Sequence, residues 1–266
     1  QQFAAEKLNL QTLEAWDLAY VSEKLQQARY DFSDQEIKHY FPEERVLAGM
    51  FRLVEKMYGI HIAQVGAARK VQYWHPDVKF FDIHDSNRQL IGQFYLDLYA
   101  RSSKRGGAWM DEAIARRRLD KIHTGKDDIQ IPVAYLTCNF SAPVKVNGQL
   151  RQALFTHNEV IVLFHEFGHG LHHLLTKVED LGVSGINGVE WDAVELPSQF
   201  MENFCWEWDV LATMTQHIET GESLPRALFD KMIKAKNFQS GLQMLRQIEF
   251  ALFDIHVNFD YDASGN

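Results

Sequence analysis

His165-Glu166-Phe167-Gly168-His169 carries two imidazoles four residues apart, with a carboxylate beside the first. Four residues advance an α-helix by slightly more than one turn, so on a helix both rings leave from one face and can share a metal ion. The glutamate can then stand beside the water that such an ion activates and take its proton, which is the chemistry of a zinc peptidase. The chain has 12 histidines and 36 acidic residues in 266. At that composition a random chain would hold the pattern only roughly 0.03–0.04 times.

Two histidines alone do not make a closed ligand set. His173 continues the four-residue series, but it lies about 12 Å along the axis from His165. That is too far for two nitrogens that must each approach one ion to about 2 Å. His172 and His173 therefore read as helix-face groups or groups behind the ligands. Downstream, Glu190, Glu195 and Glu202 are all eligible by spacing as the third ligand.

The element that must carry the pair is legible. Thr156 and Glu159 form a capping box, so a helix starts there. Val160, Leu163, Phe164, Phe167, Leu171 and Leu174 then repeat at helical period and face a core, with His165 and His169 on the other side. Gly168 and Gly170 each cost a helix about 1 kcal/mol relative to alanine, which predicts a close approach by another segment or a substrate. Gly182, Gly185 and Gly188 punctuate a loop, and Pro197 opens a second helix that can fold a glutamate back onto the histidines.

The rest of the chain predicts a mainly α protein with a small, mostly antiparallel β-sheet, an α+β arrangement. It divides into helical residues 1–70, sheet-containing residues 71–150, and helical residues 151–266 with the metal site. Leu10–Arg29 reads as a helix with Leu13, Trp16, Tyr20 and Leu25 inward, and Ser33-Asp34-Gln35-Glu36 is a second capping box. Pro42 opens a helix that buries Val46, Met50, Val54 and Met57 and stops at Gly59. Val78–Ile83, Gln89–Tyr99 and Ile131–Phe140 are β-branched and aromatic, hence strands. Further helices open near Pro225 and span Phe238 to about Asn258, and Asp260–Asn266 is polar and expected to fray.

The H-E-x-x-H-G run, Gly185-Ile186 and Trp191-Asp192-Ala193-Val194-Glu195-Leu196-Pro197-Ser198-Gln199 together resemble the thimet-oligopeptidase family of zinc metallopeptidases. Trp74-His75-Pro76-Asp77-Val78, Tyr95-Leu96-Asp97-Leu98-Tyr99 and Lys104-Arg105-Gly106-Gly107-Ala108-Trp109-Met110 extend the resemblance, which runs from about Gln11 to Phe253. It implies a zincin-like core, one zinc per chain on His165, His169 and Glu195, Glu166 as general base, and endopeptidase action on short peptides. It also implies a helical region before this stretch and a His-, Gly- and Tyr-rich, substrate-binding region after it. The chain is accordingly expected to be a catalytic core on which those segments dock, weakly active or inactive alone.

Around the metal, Asp192 and Glu202 are placed to orient the ligating imidazoles. Gly106, Gly107, Ala108 and Trp109 form a pliable lip for substrate, and Ala134 and Tyr135 a strand edge to which a peptide can add. Net charge −9 argues against nucleic-acid and anionic-membrane partners. No apolar run approaches the 18 or so residues of a membrane span. Cys138 and Cys205 lack metal spacing and read as free thiols of a reducing, cytoplasmic compartment, and Arg116-Arg117-Arg118 as a solvated helix face. The competing readings are a catalytically silent module in which zinc only staples two helices, and an aminopeptidase-type zinc enzyme. Glu166 opposes the first, and no exopeptidase motif supports the second.

Overall fold

The computed structural model describes residues 1–31, 33–119, 128–146, 148–262 and 264. They form two compact units, one of Asp34–Pro225 and one of Gln1–Ser33 with Arg226–Asn266.

The larger unit contains α3 (Asp34–Lys38), α4 (Glu43–Tyr58), nine strands, α5 (His157–Leu174), α6 (Leu196–Glu202) and α7 (Trp208–Met214). α4 starts after Pro42 and ends at Gly59, whose φ of 66° is the left-handed stop that glycine tolerates best. Its Val46, Met50 and Val54 are buried, while Met57 lies at the surface. The strands are β1 (His61–Gln64), β2 (Lys79–His84), β3 (Leu90–Tyr99), β4 (Trp109–Ile114), β5 (Arg117–Leu119), β6 (Asp128–Gln130), β7 (Val133–Phe140), β8 (Val144–Val146) and β9 (Gln149–Arg151). Five of them make one sheet in the order β1-β2-β3-β7-β4. All its pairs are antiparallel except β3 with β7. The two-stranded ribbons β5-β6 and β8-β9 stand apart from it.

α5 lies against this sheet, and the core between them is aromatic. Phe94 of β3 stacks on Phe81 of β2 and meets Phe167 of α5 edge-on, and Phe51 of α4 packs against all three. Every apolar residue of the α5 periodicity, from Val160 to Leu174, is buried. Gly168 is where the backbone of α6 crosses. A Cβ there would sit 2.6 Å from both Pro197 O and Ser198 Cα. At Gly170 a Cβ would meet Leu136 of β7 at 3.0 Å. The two glycines therefore let the α6 backbone on one side and the Leu136 side chain of β7 on the other pack directly on the α5 backbone.

In the smaller unit α1 (Gln2–Leu8) and α2 (Asp17–Tyr30) accompany α8 (Arg226–Ala235) and α9 (Ser240–Ile255), which continues as a π turn over His256–Asp260. Tyr30 meets Phe238 edge-on, Lys231 pairs with Asp31 at 2.7 Å, and Ser22 donates to Gln239 at 2.7 Å. α9 buries none of its residues; Leu245, Phe253 and Phe259 just beyond it are exposed.

Several expectations need correcting. α2 begins at Asp17, whose carboxylate accepts the Glu14 N–H, so the helix is shorter than Leu10–Arg29. Its buried residue is Val21, whereas Trp16 and Tyr20 are exposed; periodicity finds an apolar face but not whether anything covers it. The stretch 1–70 contains β1. Arg116-Arg117-Arg118 is not a helix face: residues 117–119 form β5, and Arg116 and Arg118 both bind Glu179. Positions 263, 265 and 266 of the expected tail lie outside the described residues.

The crossing at Gly168 yields a prediction. Alanine would gain about 1 kcal/mol of helix propensity, but overpacking against backbone atoms costs about 1–3 kcal/mol or more. Gly168→Ala should therefore lower the urea midpoint. Gly106→Ala, which faces open space, should stay within about 0.5 kcal/mol of the parent. A stabilised Gly168→Ala protein would show that the crossing is loose.

Candidate metal centre

α5 begins at the capping box foreseen for it. Thr156 Oγ1 accepts the Glu159 N–H at 3.1 Å, and the Glu159 carboxylate accepts the Thr156 N–H at 2.7 Å. With its start fixed and its apolar face buried, the helix presents His165 and His169 side by side, ring centroids 5.0 Å apart. The Gly168 crossing sets the first turn of α6 over them. Glu195 caps α6, and its Oε2 lies 3.2 Å from His165 Nε2 and 3.1 Å from His169 Nε2. Ser198 Oγ lies 2.8 Å from the same Oε2 and 2.9 Å from the Glu195 carbonyl, so its one hydrogen is shared between them and restrains the carboxylate's rotamer.

These three ligand atoms fit a tetrahedral ion. Donors bound at about 2.0–2.1 Å at the corners of a tetrahedron are about 3.3 Å apart, close to the two separations found. Among the described residues this is the cluster of His, Cys, Asp or Glu side chains able to hold a metal. Glu190 and Asp192, the other acids near Glu195 in sequence, are exposed and make no hydrogen bond or ion pair to either imidazole. Of the two acids expected to orient the imidazoles, Glu202 is the one in contact with a ring. Its Oε1 lies 2.6 Å from His165 Nδ1, leaving Nε2 of that ring for the ion. His173 is fully buried, with Nε2 3.0 Å from the Ile114 carbonyl, so it ties α5 to β4. Gly185, at φ 66°, packs directly on its ring.

The electrostatics suit a cation. Burial holds His169 below the ordinary imidazole range, so the ring is neutral and its lone pair available. Glu195 is pushed up by burial, but the Ser198 hydrogen bond and the two imidazoles outweigh this and hold it below the usual carboxylate range. Glu166 behaves oppositely. Burial pushes it up to about 7 and the nearby Glu195 adds to the rise, against the opposing pull of His165 and of the Met110 N–H. It is thus a buried carboxylate poised near neutrality beside the ligand set, and Met110 belongs to β4.

Among the described residues β4 is one of the sheet's two edge strands, β1 being the other. β7 is paired on both sides, to β3 and to β4, so Ala134-Tyr135-Leu136 offers no strand edge, and Ala134 is fully buried. A peptide adding to this sheet next to α5 would meet β4 instead. Tyr135 is exposed differently: with Trp109, Trp74 and Asp111 it lines a cavity of ≈ 860 Å³ on the sheet face that Tyr135 and Thr137 share. Gly106 and Gly107 are exposed in the connection before β4, and Ala108 is partly covered. Neither the Met110 contact nor the Ser198 bond was visible from spacing. Ser198 sits three residues after Glu195, a helical step that signals its reach in retrospect.

The sequence model of peptidase family M3 matches residues 1–264, and the chain belongs to that family. It is 53% identical to oligopeptidase A of Escherichia coli (strain K12) over 259 residues, 97% of this chain and 36% of that protein. It is 37% identical to the thimet-like oligopeptidase of Dictyostelium discoideum over 245 residues, 90% of this chain and 34% of the relative. With the dipeptidyl carboxypeptidase of Escherichia coli (strain K12) it shares 34% over 241 residues, 90% of this chain and 33% of the relative. The chain thus spans about a third of the length of these relatives. Among the described residues no helix is long and apolar enough to cross a membrane.

The 2.6 Å bond to His165 predicts that Glu202→Ala weakens zinc binding about ten- to a hundredfold, whereas Asp192→Ala leaves it unchanged. Competition titration with a chromogenic chelator measures both. Equal effects at the two positions would mean that Glu202 does not orient the ring.

Proposed function

We propose that this chain carries the active centre of a zinc-dependent endopeptidase that hydrolyses internal bonds of short peptides. The observation that carries the reading is the convergence of His165 Nε2, His169 Nε2 and Glu195 Oε2 beside the buried Glu166. Two neutral imidazoles and one carboxylate leave a divalent ion with net positive charge, and zinc bound there would polarise a carbonyl and acidify water.

The protein's own groups supply the rest. Glu166 is the base: desolvation keeps its proton affinity high, so its carboxylate can accept a proton from water and return it to the departing amine. A cation held by its neighbours pulls that affinity down again, which keeps Glu166 ionised and ready to accept. Glu202 holds His165 in one tautomer and orientation, and Ser198 holds Glu195. The free edge of β4 is the surface on which a substrate backbone would lie, extending the sheet by main-chain hydrogen bonds. Pairing through the main chain makes few demands on side chains, which suits a peptidase of broad tolerance. Trp109 and Asp111 then face the alternate side chains of the substrate, above the cavity they share with Tyr135.

We read residues 1–266 as a zincin-like catalytic core. The relatives are about three times as long, and the exposed apolar side chains of α9 suit burial by further protein, the docking expected from the resemblance. Of the competing readings, a silent zinc staple leaves the burial of Glu166 without purpose, since a structural site is closed by four protein ligands and needs no base. The 53% identity to an oligopeptidase, against 34% to a dipeptidyl carboxypeptidase, favours internal cleavage over cleavage at a terminus.

Glu166→Gln keeps the size of the side chain but not its basicity. The expected outcome in the complete enzyme is full zinc occupancy with peptide hydrolysis lowered by at least about 10²–10⁴-fold, measured on a quenched-fluorescent peptide. Near-normal hydrolysis would remove Glu166 from the mechanism, and loss of the metal would make it a ligand or a fold element.

A further inference from the structure

Among the described residues β4 has a strand partner on one side only, and a short edge strand frays unless its ends are tied. One end is tied to the metal helix and its neighbouring loop: Ile114 O meets His173 Nε2 at 3.0 Å, and Glu112 accepts from Asn187 at 2.6 Å. The other end follows the connection 100–108, which must pass the end of β7 because β7 lies between β3 and β4. That connection contains Gly106 and Gly107, the latter at φ 97°, so its own backbone supplies little stiffness.

Two devices hold it. At its start, the buried Asp97 accepts from Arg101 Nη1 at 2.8 Å and Nη2 at 2.6 Å, from Lys104 Nζ at 2.9 Å and from Trp74 Nε1 at 2.9 Å. Lys104 Nζ also donates to the Asp97 and Tyr99 carbonyls, both at 2.9 Å. At its finish, Asn139 Nδ2 donates to Arg105 O at 2.7 Å and Gly107 O at 2.6 Å. Thr137 of β7 is the ladder partner of Trp109. In an antiparallel register, Asn139 is therefore opposite Gly107. Its amide prolongs the ladder past the point where main-chain pairing ends, with two hydrogens on one nitrogen for two carbonyls.

We propose that Asn139 is a positioning residue for the hydrolytic reaction: its side-chain amide fixes the N-terminal end of β4, and with it the Met110 N–H beside Glu166 and the edge on which the peptide lies. This rests on the reading of β4 as the substrate edge. Both carbonyls are near solvent, so losing the amide costs the fold little. The loss falls on the first residues of β4, and so on how well a substrate is held rather than on the metal.

The test compares the zinc-loaded chain with Asn139→Asp, which keeps the shape and removes both donors, and with Asn139→Ala. Three quantities are read: amide hydrogen exchange over 105–114 and over 157–174, zinc affinity, and KM and kcat for a peptide of about ten residues. In both variants exchange over 105–111 should rise about tenfold, with 157–174 and zinc affinity unchanged. KM should rise about tenfold while kcat moves less than about threefold. Wild-type exchange over 105–111, acceleration spread equally into 157–174, or a loosened β4 with unchanged KM would each overturn the proposal. If the unsubstituted chain cleaves no peptide, as expected of a core without its flanking segments, KM and kcat are read on the protein extended at both ends, where inactivity would overturn the endopeptidase reading. Exchange then decides: loosening confined to 105–111 supports the positioning role, and any other pattern overturns it.

Discussion

The site depends on one contact, the passage of the α6 backbone across α5 at Gly168. A Cβ on that residue would stand 2.6 Å from Pro197 O and Ser198 Cα, so any other residue forces the two helices apart. Glu195 lies at the start of α6, two residues before the contact, and its Oε2 meets both imidazoles within 3.2 Å. A displacement of α6 by even 1 Å would take the carboxylate out of a tetrahedral ion's reach. Glu202 and Ser198 ride on the same short helix. Three parts of the site, the ligand, its anchor and the orienter of His165, are thus placed by one glycine.

The second constraint is burial. α5 is pressed between the sheet and α6, and this both desolvates Glu166 and keeps His169 neutral. A buried carboxylate near neutrality is costly to the fold when no cation is present. That cost is tolerable where the group is needed as a base and a cation is held next to it. β4 closes the other side, reaching Glu166 through the Met110 N–H and α5 through His173. α5 and β4 are therefore one mechanical piece.

Much of this was legible in the sequence, for physical reasons that differ by element. The start of α5 was readable because a capping box is local chemistry, and its buried face because six apolar residues keep one period. Gly168 and Gly170 signalled close approach because glycine has no other good reason to sit in a helix. β2, β3 and β7 were readable from β-branched and aromatic content. β4 was not: Trp109-Met110-Asp111-Glu112-Ala113-Ile114 mixes charge with apolar residues, and its paired residues on β7 lie 19 to 28 positions further along the chain. The same blindness to non-local pairing put the free edge on Ala134 and Tyr135 rather than on β4. Spacing left Glu190, Glu195 and Glu202 equal as ligands, and family resemblance pointed to Glu195. The structure separates them by distance, giving Glu195 to the imidazole pair and Glu202 to the back of His165.

The most direct test of the central claim is X-ray absorption at the zinc edge on the zinc-loaded chain. The account predicts one ion per chain with two imidazole nitrogens at about 2.0–2.1 Å, oxygen from one carboxylate, no sulfur, and a position left to solvent. The same spectrum from Glu195→Ala should lose the carboxylate contribution. A spectrum with a third imidazole or a thiolate, or one that Glu195→Ala leaves unaltered, would contradict the assignment of His165, His169 and Glu195 as the metal-binding set.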